Sequence, residues 1–174
     1  MNDDENNPIW IKLHSRPIQK TGELLLSNNI EVNLFDFSSV VFQPLIPLVK
    51  ILDISGIYSI SSLEGLPYLP HLHIFNANDT EVSTFVNFHA IRNAARVSFR
   101  NTPISSLPYY RLSLLIICGK GLISIDGQTI SQNLLTKYTQ YPKITAKLIN
   151  SGWNLEYPCP DIETLNEKYE TLND

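Results

Sequence analysis

Cysteine is scarce in this chain: 174 residues contain only Cys118 and Cys159. Two thiols so far apart exclude a disulfide framework and a clustered thiolate metal site. No run of Lys or Arg occurs, and 13 basic against 17 acidic residues leave a net charge of −4. That balance removes the electrostatic footprint of a nucleic-acid binder, so no direct nucleic-acid partner is expected. It equally disfavours an anionic membrane surface. No apolar run reaches the ~18 residues needed to span a bilayer. The opening residues, Met1-Asn2-Asp3-Asp4-Glu5-Asn6-Asn7, are polar and acidic, unlike a signal peptide. A reducing compartment, cytoplasmic or nuclear, is therefore expected.

Catalytic patterns are missing too. His14, His71, His73 and His89 belong to no metal or nucleophile motif, and no phosphate loop occurs. Gly119-Lys120-Gly121 lacks the rest of such a loop and reads as a glycine-terminated helix. Asp126-Gly127 reads as a turn. No catalytic residue, metal ligand or cofactor is assigned, and the chain is expected not to be an enzyme.

What the chain does have is one apolar spacing written three times. Leu72, Phe75, Ala77, Val82 and Phe85 stand at offsets of zero, three, five, ten and thirteen. The same offsets fall on Ala94, Val97, Phe99, Ile104 and Leu107. They fall again on Val49, Leu52 and Ile54, then on Ile60 and Leu63 after one extra residue. Offsets three and five form a period of two, which predicts a short strand with both side chains on one side. A unit of this kind cannot bury its apolar side alone, so neighbours must stack. An earlier unit is expected from Val32, with Phe35 and Phe37 alternating as a strand and Phe42 and Leu45 following. Leu24 to Ile30 is either an older half-unit or part of an N-terminal cap, and Ile9-Trp10-Ile11 is placed over the open end of the core.

The units resemble the 22-residue class of leucine-rich repeats. The segment after them resembles that class's C-terminal cap: Arg100-Asn101-Thr102-Pro103-Ile104, then Tyr110-Arg111, the apolar Leu112 to Cys118, and Leu122-Ile123-Ser124-Ile125-Asp126-Gly127. Proteins with this cap include the spliceosomal A-prime subunit, acidic nuclear phosphoproteins, an axonemal dynein light chain and a phosphatase regulatory subunit. The family's asparagine at offset eight is replaced by Ile57, Thr80 and Thr102. Threonine can offer a hydroxyl to the turn, whereas Ile57 can offer nothing.

The expected architecture is an α/β solenoid: a short leucine-rich-repeat right-handed superhelix with a parallel concave sheet and a helical C-terminal cap. Residues 1–23 form an N-terminal segment and cap, 24–108 the repeats, 109–131 the C-terminal repeat cap, and 132–174 a helical extension. In that extension Ile144, Leu148 and Ile149 share a face, and Asp161 caps a helix bearing Ile162, Leu165, Tyr169 and Leu172. This last helix either folds back, frays or serves a partner.

Such repeats make recognition surfaces, so a non-catalytic adaptor or complex subunit, monomeric by itself, with a protein partner is expected. The alternatives are a regulatory subunit of a phosphatase or a structural component of a spliceosomal or axonemal assembly. The outward strand residues on the concave face are Leu34, Ile51, Ile74 and Arg96 in one column and Asp36, Asp53, Asn76 and Ser98 in the next. Ser38, Ser55, Asn78 and Arg100 form the third. Aliphatic residues at solvent-facing positions suggest a covered contact.

Overall fold

Before each of the first four strands of the sheet, one carbonyl accepts two backbone N–H groups from the neighbouring chain segment. Gly22 O takes those of Lys50 and Ile51 at 2.8 and 3.0 Å, and Lys50 O takes those of His73 and Ile74 at 2.7 and 3.1 Å. His73 O then takes those of Ala95 and Arg96, and Ala95 O those of Ile123 and Ser124. The same local geometry is thus used four times across the sheet. The computed structural model describes residues 8–173, and the expectation for the opening acidic residues lies outside them.

The fold is α/β, built on a six-stranded, mostly parallel sheet in the order β1-β2-β3-β4-β5-β6. The strands are β1 (Glu23–Leu25), β2 (Ile51–Asp53), β3 (Ile74–Asn76), β4 (Arg96–Ser98), β5 (Ser124–Ile125) and β6 (Gln128–Thr129). Only the β5–β6 pair is antiparallel. Its connection is Asp126-Gly127, with φ of 55° and 80°, the two positive values that a two-residue hairpin of this hand requires.

Alternation sets which side of the sheet is buried. Leu24, Leu52, Phe75, Val97 and Ile125 point into the core, joined after the strands by Leu26, Ile54, Ala77 and Phe99. Each of β1 to β4 is followed by a sharp turn whose left-handed residue lies four positions beyond the inward one: Asn28, Gly56, Asp79 and Asn101. Asn, Asp and Gly are the residues that tolerate this conformation. Thr80 Oγ1 donates to Ala77 O at 2.8 Å, and Thr102 Oγ1 donates to Phe99 O. The turn containing Ile57 has no such hydroxyl bond; Ile57 is simply buried.

Helix α1 (Ile9–Thr21) covers the β1 end, burying Trp10, Ile11 and Ile18. It ends at Gly22, whose φ of 76° lets its N–H reach Ile18 O. Trp10, Phe37 and Phe42 form a ring cluster with centroids 4.7 to 5.8 Å apart. A second cluster, Phe75, Phe85, Phe88 and Phe99, fills the interior further along.

Helix α2 (Tyr110–Cys118) is buried on nearly every side and contacts α3 (Gln132–Tyr138) and α4 (Ile144–Asn150). Helix α5 (Ile162–Asn173) packs back on α4. Asp161 caps it by accepting the Thr164 N–H at 2.8 Å. Leu165 is its buried anchor, while Ile162 and Leu172 face solvent. Among the described residues, no helix is long and apolar enough to cross a membrane.

One sequence expectation is overturned here. Residues 34–38 are not a strand but a 3-10 turn, Leu34–Ser38, so Leu34 and Asp36 do not lie on the sheet. The Asn33 side chain starts the turn by accepting the Phe35 N–H at 3.0 Å. Residues three apart eclipse in such a turn, and it is Leu34 and Phe37 that are buried while Phe35 is 63% exposed. The first strand of the sheet is β1 instead.

Candidate functional site: the open face of the sheet

The side of the sheet opposite the core carries three columns of residues in register. Ile51, Ile74 and Arg96 are direct cross-strand partners, as are Asp53, Asn76 and Ser98. Through β1 the first column begins with Glu23 and the second with Leu25. These two residues stand where Leu34 and Asp36 were expected. Leu34 is instead buried, and the Asp36 carboxylate accepts Trp10 Nε1–H at 3.2 Å. Ser38 leaves the third column in the same way.

The missed signal was the residue after the strand. Asn28 follows Leu24 at the same distance at which Gly56 follows Leu52, Asp79 follows Phe75 and Asn101 follows Val97. A fixed offset from an inward apolar residue to one that accepts a left-handed backbone marks β1 better than the Phe35/Phe37 alternation does.

Side chains of the second and third columns bond to one another across the strands. Asp53 accepts from Ser55 N at 2.9 Å, from Ser55 Oγ at 2.6 Å, and from Asn76 Nδ2 at 3.3 Å. Asn76 in turn accepts the Asn78 N–H at 3.0 Å. Asn78 Oδ1 accepts both Ser98 Oγ–H and Arg100 N–H at 2.7 Å. The chain of bonds ends at Asp126, which accepts the Phe99 N–H at 2.8 Å and the Tyr110 hydroxyl at 3.3 Å. The Arg100 guanidinium donates to Asp126 O, and Arg111 Nη1 donates to Ile125 O at 3.0 Å. Burial first, and the Asp126 carboxylate second, push the Tyr110 phenol up, so it stays a donor.

Such a network fixes side-chain rotamers before any ligand arrives, which lowers the entropic cost of binding. Beside it lie side chains with no such partner. Ile51 and Ile74 are half-buried, Leu25 is 51% exposed, and among the described residues the exposed Arg96 meets no carboxylate. The face therefore offers an aliphatic strip, a preset band of hydrogen-bonding groups and a cation.

Among the described residues, no group of three or more His, Cys, Asp or Glu is placed to hold a metal. His89 is held below the ordinary histidine range by burial and by Arg92, and His14 by burial. Both lie away from the open face. Burial pushes the Cys118 thiol up to about 12, which removes it as a nucleophile near neutral pH.

No protein-family model and no curated protein sequence matches the chain. Among solved structures it is similar to a chain from the "Structure of Chaetomium Mex67:Mtr2 subunits", with a TM-score of 0.46 and 16% identity. The match covers 74% of this chain and 98% of that one.

Proposed function

We propose that this chain is a non-catalytic protein-recognition module. In this reading the strands and their turns are short leucine-rich repeats, stacked as a right-handed solenoid. The repeats are closed by the segment 109–131 and extended by 132–174. The open face of the sheet is then its concave, partner-binding side, and the partner is a protein.

One observation carries the reading: Leu25, Ile51 and Ile74 stand on the solvent side of the sheet beside polar side chains already paired by hydrogen bonds, Asp53 with Asn76 and Asn78 with Ser98. Apolar groups grouped on a surface mark contacts that become covered. The rigid band beside them can order a peptide or loop laid across the strands. The face keeps Ile51, Asp53, Ile74, Asn76, Asn78, Arg96, Ser98 and Arg100 from the sequence reading and adds Glu23 and Leu25.

The test uses the intact chain as bait in a cell extract, beside Ile74→Asp and Arg96→Glu variants. Both substituted residues are solvent-facing, so thermal unfolding should hardly change. Captured proteins should fall by about tenfold or more for each variant, the size expected of a central contact. Undiminished capture with both variants would remove the open face as the binding surface.

A further inference from the structure

Because β1 to β5 run parallel, the starts of all five strands lie along one rim of the sheet and their ends along the other. Charge is divided between the two rims. The segments that lead into the strands (19–22, 47–50, 70–73, 92–95 and 119–123) hold no Asp or Glu, while Glu23 and Arg96 are the first residues of β1 and β4 themselves. The leading segments carry Lys20, Lys50, Arg92 and Lys120, all exposed. His71 and His73 fill the place before β3. The segments that follow the strands carry Glu31, Asp79, Glu81 and Asp126, with Arg100 the cation among them.

Among the described residues, none of the four leading cations meets a carboxylate within ion-pair distance; Arg92 lies over the Tyr68 ring at 4.0 Å. In a chain of net charge −4, a row of uncompensated cations is a local reversal of sign. It is invisible in the sequence because its members are separated by whole units and meet only through strand pairing.

We propose that this rim docks an acidic polypeptide segment that also carries aliphatic side chains. The proposal rests on the reading of the chain as a protein-recognition module but names another surface and its ligand chemistry. Charge complementarity argues for the acid. The aliphatic requirement comes from Leu48 and Ile123, 40% and 48% exposed between the cations. A nucleic-acid strand would need exposed aromatic rings for its bases, and Tyr68, half-buried under Arg92, offers none. Four strand spacings of ~4.8 Å make the rim roughly 19 Å long. That is the reach of about six extended residues.

The test measures fluorescence anisotropy with a labelled synthetic peptide of about twelve residues, Glu pairs alternating with single Leu, and with a single-stranded RNA of similar length. Four forms of the 174-residue chain are compared: wild type, Lys50→Glu/Arg92→Glu/Lys120→Glu, a control of equal net charge (Arg16→Glu/Lys143→Glu/Lys147→Glu), and Ile74→Asp. Thermal melts establish that each is folded.

At low salt the peptide should bind wild type, and the rim triple should weaken it at least about tenfold. The equal-charge control should retain most of the binding. No binding by wild type, equal loss in both triples, or RNA binding at least as tight as the peptide would each overturn the proposal. Loss of extract capture by Ile74→Asp depends on the open face alone, so either surface can fail without the other.

Discussion

Replacing Gly56 with alanine probes the turn that closes the β2 unit. Gly56 sits at φ +72°, and a Cβ built there would lie 2.0 Å from Asn28 Oδ1. The left-handed conformation costs a non-glycine residue about 1–2 kcal/mol. Driving the Asn28 side chain off its rotamer adds ~0.5–1.5 kcal/mol. The sum is a loss of about 1.5–3.5 kcal/mol, read as a lower urea midpoint with an unchanged slope. The two parts separate in a double-mutant cycle. Asn28 itself sits at φ 58°, which glycine accepts readily, so Asn28→Gly removes the clashing amide without straining the backbone. Beyond that side chain, the next nearest atom is Asn28 N at 3.6 Å, an ordinary contact. Gly56→Ala should therefore cost less in the Asn28→Gly background, by the ~0.5–1.5 kcal/mol of the rotamer cost. A cost of Gly56→Ala below about 0.5 kcal/mol, or strict additivity, would refute the claim that adjacent turns stack on one another here.

Two further outcomes concern the C-terminal helices and the thiols. Among the described residues, Ser113 Oγ and Thr145 Oγ1 are buried without a hydrogen-bond partner. Ser113→Ala and Thr145→Val should each stabilise the chain by about 1 kcal/mol in urea titration, since each removes an unpaid desolvation cost; destabilisation by either would show that the hydroxyl is satisfied. The Cys118 thiol, raised to about 12 by burial, keeps its proton at a pH where the unfolded chain has released it. The unfolded state then binds fewer protons, so stability must fall as pH rises from about 9 towards 12. Cys118→Ala should flatten the difference between urea midpoints measured near pH 8 and near pH 10.5. Equal slopes for wild type and variant would contradict that burial.

The parts of the fold legible in the sequence are those governed by a short-range period. Leu52 with Ile54, Phe75 with Ala77, and Val97 with Phe99 are spaced as inward strand pairs, and all six are buried. Ile51, Ile74 and Arg96 follow from the same spacing and are paired across the strands. The first strand was not legible, because the 34–38 segment mimics a strand by alternating two phenylalanines. There a side-chain cap from Asn33 and the burial of Leu34 with Phe37 favour a 3-10 turn over extended chain. Long-range consequences were hidden too. That Asp36 serves Trp10, that Glu23 and Leu25 open the columns, and that four separated cations share a rim depend on pairing between units rather than on any local pattern.

Site-specific photocrosslinking tests the recognition reading most directly. A benzophenone amino acid is placed in turn at the open-face positions Ile74 and Ser98 and at the exposed connecting-segment positions Ser61 and Ser83. Crosslinks to the captured partner should form from Ile74 and Ser98 and be absent from Ser61 and Ser83. Crosslinks confined to Ser61 and Ser83 would contradict the account.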